Sequence, residues 1–157
     1  MYGCPVWSLT SKQNIDIIYK LQKKCIRIIN FATYYSHTNP LFIEDKILKL
    51  PDIIKISQIK LIFDYKNNLL PQDLLTLFKL TGDVHTHQTR MLTGEKLFIP
   101  EINTTKYGNH SLRYRAPVTW NNFITFQPEL NSIKIISHLK RYLKTFFITQ
   151  YKRNIDI

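Results

Sequence analysis

The side chains of this chain that are arranged to do chemistry are cations. Lys20, Lys23, Lys24 and Arg27 fall at the i, i+3, i+4, i+7 spacing that lines one side of a helix. Lys134, Lys140, Arg141 and Lys144 crowd a second helical stretch near the C-terminus. Arg113 and Arg115 bracket Tyr114, and Arg90 stands in a polar loop. Rows of ammonium and guanidinium groups neutralise phosphates, so the chemistry they point to is contact with an RNA or DNA backbone. Two of these positions have competing assignments. The Arg90 fork can grip a phosphate, or it can pin its own loop through Asp83 or a carbonyl. If residues 111–115 are extended, Arg113 and Arg115 share one face for backbone contact, and Tyr114 on the other either packs in the core or stacks on a base.

Bond-making chemistry finds little support. A nucleotidyl transferase needs carboxylates that hold two metal ions around the reacting oxygens. No Asp-Asp pair occurs, and Glu44, Asp45, Asp52, Asp64, Asp73 and Asp83 are scattered over helical and turn contexts. The nearest glycines, Gly82 and Gly94, are a dozen residues apart, so there is no glycine loop to cradle a phosphate. His85 and His87 form the one metal-like dyad, with Cys4, Cys25, His37 or His110 as conceivable completions. No close cysteine pair accompanies them, and exposed loop histidines are the expectation, with no metal or other cofactor. Cys4 and Cys25 are expected as reduced thiols of an intracellular protein.

The charge balance agrees with the cation rows. The formal net charge is +11, from 22 Lys and Arg against 11 Asp and Glu. Residues 1–30 carry five bases and one acid, residues 131–157 six and one, and the hundred between them 11 and 9. Codons rich in A and T, which encode the abundant Ile, Asn and Lys, account for part of the Lys content but not for its clustering on helix faces. Neither a secretory leader nor an apolar run of about 18 residues is visible, so a membrane is not an expected partner.

The elements that must carry these cations are mostly helical. Residues 13–30 are expected to form a helix with Ile15, Ile18, Leu21, Cys25, Ile28 and Ile29 turned inward, the basic stripe outward, and Ser11 or Asn14 as cap. A short helix is expected around 41–50. Residues 52–67 are apolar on nearly every side, which predicts a central buried helix that begins beside Pro51 and ends at Asn67 and Asn68. Pro71 starts another short helix. Between Gly82 and Arg115 the periodicity fades, and 96–99 and 111–115 are expected as short strands. A helix near 117–123 and a last one over 132–151, capped by Ser132, complete the chain. The fold class is therefore mainly α, one compact domain over residues 1–157, with a small irregular loop and β segment around 82–115.

Several short motifs occur in a telling order: Tyr2-Gly3-Cys4-Pro5-Val6-Trp7, then Gln22 to Ile29, then His37-Thr38-Asn39-Pro40-Leu41-Phe42. Leu70-Pro71, Thr89-Arg90 and Trp120-Asn121 follow. This series resembles the region downstream of the polymerase domain in non-LTR retrotransposon reverse transcriptases of the jockey and chicken-repeat-1 kind. Ser8 and the segment Arg115-Ala116-Pro117 depart from it, standing where the family often has Gly. The resemblance implies a piece of an RNA-directed DNA polymerase without its catalytic core, inert alone, that helps hold template or target nucleic acid. Divalent metal would belong to the missing polymerase domain. Alternatives within the same resemblance are a module that packs on the polymerase body or on itself, and a genomic relic.

Overall fold

The computed structural model describes residues 3–84, 96–104 and 108–153. It is mainly helical. Among the described residues the α-helices are α1 (Cys4–Trp7), α2 (Lys12–Ile29), α3 (Thr38–Glu44), α4 (Leu50–Lys66), α5 (Gln72–Leu75), α6 (Thr81–Val84), α7 (Leu112–Phe126) and α8 (Ile136–Arg153). Short 3-10 turns at Gly108–His110 and Pro128–Ser132 lead into α7 and α8. No helix among the described residues is long and apolar enough to cross a membrane.

Helix α4 lies at the centre. It begins on Lys49 with Pro51 in its first turn, where a missing N–H costs nothing, and ends at Asn67, followed by Asn68 at φ 54. Leu50, Ile54, Ile59, Ile62 and Phe63 are buried on different sides of it. Ile59, Ile62 and Phe63 join Trp120 and Ala116 of α7 and Leu139 and Leu143 of α8 in the main core. Leu50 and Ile54 pack with Cys4 of α1. A third cluster, Ile26, Phe42, Phe147 and Tyr151, fastens α2 and α3 to α8.

Two polar contacts set how neighbours meet α4. Thr119 of α7 donates to Gln58 Oε1 at 2.7 Å, which satisfies a buried amide. Tyr151 of α8 donates to Asp52 Oδ2 and accepts from the Lys49 N–H at 3.1 Å, closing over the first turn of α4. Burial and the Asp52 contact push the Tyr151 hydroxyl well above its ordinary pKa. Asp52 also stands at the positive end of the α4 dipole, where a carboxylate is favoured.

Some expected elements differ from the structure. The helix expected over 41–50 is α3, which starts earlier at Thr38 and stops at Glu44. Residues 112–115 are helical, not a strand: α7 starts at Leu112, and Pro117 sits inside it rather than at its first turn. Ser111 is its N-cap, so the turn that Pro117 was expected to open begins five residues earlier. The expected strand at 96–99 reduces to one antiparallel bridge, Leu80 with Leu97. Ser132 does not cap α8; its hydroxyl donates to the Glu129 carbonyl and closes the preceding 3-10 turn. The Ser11 cap of α2 is present, its side chain accepting from Asn14 N–H.

The largest difference concerns α2. Its body-facing side is Ile15, Tyr19, Gln22 and Ile26, while Ile18, Leu21, Cys25, Ile28 and Ile29, which were expected inside, are exposed. Gln22 decides the rotation. Its amide donates to Leu48 C=O at 2.9 Å and accepts from Leu50 N–H at 2.8 Å, locking that edge of α2 to the start of α4.

Trp120 and Asn121 divide two jobs between adjacent positions. Trp120 is 1 % exposed in the main core. Asn121 brackets Leu97, its Oδ1 accepting from Leu97 N–H at 2.9 Å and its Nδ2 donating to Leu97 C=O at 2.7 Å. It acts as a one-residue strand partner for a buried segment. Asn121→Ala leaves both backbone groups unpaired, and a loss of about 2 kcal/mol is expected. Urea denaturation of the two proteins measures it, and equal midpoints would refute the bracket.

Candidate nucleic-acid interface

The cations of the chain divide into those engaged inside the fold and those left to solvent. Arg27 is engaged: its Nε donates to Ser36 C=O at 3.0 Å and its guanidinium lies 6.0 Å from the Tyr34 ring. Arg115 is engaged as well, donating to Asn109 C=O at 2.9 Å and Ser8 C=O at 3.2 Å, which ties α1 to the turn before α7. Lys23 covers the Tyr19 ring at 4.4 Å. These contacts make Lys23, Arg27 and Arg115 structural clamps whose stems cover apolar surface. On a helix Arg113 and Arg115 lie about 200° apart, so the shared face expected of an extended segment does not exist. Arg113 is exposed and Tyr114 half-buried.

Lys20, Lys24, Lys134, Lys140, Arg141 and Lys144 are exposed. Arg90 and the His85–His87 dyad lie outside the described residues. Among the described residues no three His, Cys, Asp or Glu side chains converge on a metal-sized site. Cys4 is buried and Cys25 exposed, both as free thiols.

The structure gathers one group of cations around a recess. Where α8 passes α4, a cleft of ≈ 500 Å³ is lined by Lys140 and Lys144 from α8 and by Lys60, Asp64 and Ser57 from α4, together with Gly3, Pro5 and the apolar Leu48, Ile53, Ile56 and Leu61. Leu139, Leu143, Phe147 and Tyr151 are the buried residues of α8, which leaves Lys140 and Lys144 on its edge beside α4. Lys60 faces them one turn before Asp64, its Nζ 3.8 Å from Asp64 Oδ2. Lys60 was not among the residues singled out in the sequence, because it sits in the most apolar helix of the chain. Its one available signal is the i, i+4 relation to Asp64, which places both at one edge of that helix.

Among the described residues three ammonium groups share the cleft with one carboxylate. Burial raises the Asp64 pKa above its ordinary 3.8, while Lys60 and Lys140 act in the opposite direction. Asp64 thus senses both walls of the cleft and leaves a net positive recess. Flexible lysines suit the phosphodiester backbone, because an ammonium acts as a point charge and adapts to irregular phosphate spacing.

A second recess of ≈ 560 Å³ lies between α7 and α8, walled by Phe123, Phe126, Phe146 and Phe147. Among the described residues Lys55 is its one cation, against three in the α4–α8 cleft. The α4–α8 cleft is therefore the better phosphate site.

No family model matches the chain, and no curated protein or solved structure is significantly similar to it.

The Asp64 shift has a definite sign in stability. A carboxyl whose folded pKa is raised binds its proton more readily in the native state. Its contribution is fully present below the unfolded value and is lost as pH rises through the folded one. Asp64→Asn removes that dependence, so its stability relative to the parent should climb as pH rises from below the ordinary carboxyl value of 3.8 and level off once Asp64 is ionised in the folded state. Urea midpoints across that range give the result, and a constant difference would contradict it.

Proposed function

We propose that this chain grips the sugar-phosphate backbone of RNA or DNA in the α4–α8 cleft, and that it derives from the region downstream of the polymerase domain of a non-LTR retrotransposon reverse transcriptase. The observation that carries the binding is the convergence of Lys60, Lys140 and Lys144 on one recess with a single carboxylate between them. The ordered motif series supports the origin. In this reading catalysis belongs to another part of the parent polyprotein, and the present chain supplies affinity without sequence preference.

The cleft fits such a role physically. Non-specific contact of this kind draws its affinity from counterion release and has typical dissociation constants of about 10⁻⁴ to 10⁻⁶ M at physiological salt. Three neutralised phosphates correspond to a slope of roughly −2 to −3 in log affinity against log salt. Arg141 lies on the next face of α8 and extends the same positive edge outward.

Replacing Lys60, Lys140 and Lys144 together by Gln should weaken binding of a single-stranded oligonucleotide at least about tenfold at low salt and remove most of that slope. Fluorescence anisotropy at several salt concentrations provides the measurement. Retention of the full slope in the triple variant would exclude the cleft. Asp64→Asn should act in the opposite direction and tighten binding. The origin has its own test: sequencing the genomic locus and transcript upstream of Met1 should find an in-frame polymerase segment with paired catalytic aspartates, and an unrelated sequence there would count against it.

A further inference from the structure

Helix α2 turns two different surfaces away from the body. One is the cationic edge with Lys20 and Lys24. The other is apolar: Ile17, Leu21 and Ile28 are 58 %, 53 % and 73 % exposed, and Ile18, Cys25 and Ile29 accompany them. Ile18, Leu21, Cys25 and Ile28 follow the alternating three- and four-residue step that forms the seam of a coiled coil. The helix is 18 residues long, about 27 Å, so it offers a seam of about two heptads. Gln22 holds the opposite edge against Leu48 and Leu50, so the seam cannot roll inward without breaking both bonds.

Charge selects the occupant. Lys20 and Lys24 border the seam on its solvent side, and Asp16, the one acid of α2, lies one turn before Lys20 and about 40° further from the seam. Two copies meeting in antiparallel fashion would set the Lys20–Lys24 edge of one against the same edge of the other. A parallel pair would press that edge onto the Gln22 side, which the body already occupies. A lipid surface would meet cations along one border of the strip only. A separate helix with carboxylates along one flank satisfies all of these constraints.

We propose that the exposed face of α2 docks an amphipathic helix of another protein, apolar along its contacting seam and acidic along the flank that meets Lys20 and Lys24. The site is independent of phosphate binding in the α4–α8 cleft, so either can fail while the other holds. Docking buries Cys25, and Cys4 is 0 % exposed, so the reactivity of one thiol reports on the seam.

The test uses the full chain and two synthetic helical peptides with the same Leu and Ile seam, one flanked by Glu and one by Lys. Modification of Cys25 by an aromatic disulfide reagent is followed with each peptide in excess. The Glu peptide should slow it, with about a tenfold preference over the Lys peptide, the size expected when two rim charge pairs switch from attraction to repulsion. The surface double variant Lys20→Glu, Lys24→Glu should reverse that preference. Equal protection by both peptides, or no protection by either, would overturn the proposal. So would protection that rises with protein concentration alone, which would indicate a second copy, or protection by phosphatidylserine vesicles and not by the Glu peptide.

Discussion

An α-helix with apolar side chains on every side has to be wrapped, and the rest of this fold can be understood as the wrapping of α4. Ile54, Ile59, Ile62 and Phe63 cannot all face one neighbour, so α1, α2, α7 and α8 each cover a different arc. Apolar burial alone would leave those four helices free to rotate or slide. The few polar groups on α4 remove that freedom. Gln58 must face Thr119, Asp52 must face Tyr151, and the backbone at Leu50 must face Gln22. Each mismatch would strand a buried donor or acceptor, a penalty comparable with the net value of several good contacts.

That division of labour explains what could be read from the sequence. The existence of α2, α4 and α8, the Ser11 cap and the Asn67–Asn68 stop are local properties, set by periodicity and end chemistry. The central position of α4 follows from its own composition. The orientation of α2 does not. Its apolar arc runs from Ile17 round to Ile15 and Ile26, wider than one neighbour can cover, and periodicity points to the middle of that arc. Gln22, a polar residue within the arc between Ile29 and Ile15, decides which part turns inward. The helix expected near 117–123 is present as part of α7, but its true start is not legible locally, for a related reason. Pro117 marks a helix start when only local rules apply, yet Ser111 caps the chain earlier and Ala116, Pro117 and Trp120 are buried in a surface made by α4 and α8.

The candidate site was half legible. Lys140 and Lys144 stand out in a basic helix, but their partner Lys60 lies far away in sequence within an apolar one, and only the helix crossing brings them together. Counting charges also misses how cations are used. Lys23, Arg27, Lys49 and Arg115 look like surface groups in a sequence, yet they lie over tyrosine rings or donate to carbonyls. Lys49 illustrates the cost: burial lowers its pKa, and nearby Asp52 only partly restores it.

The clasp of Tyr151 on Lys49 and Asp52 also bears on how the protein is made. It joins groups about a hundred residues apart, 102 in one bond and 99 in the other. Contacts of such separation come late and slowly, because the loop entropy is lost before the contact returns anything. During synthesis α4 emerges long before α7 and α8, so its most apolar arcs must wait uncovered until those two helices have followed it. A nascent chain in that state presents the surface that holdase chaperones recognise and that aggregates share. The final turn of α8 is thus the last piece to close over α4, and a chain shortened before Tyr151 would leave Asp52 and the Lys49 N–H without that partner.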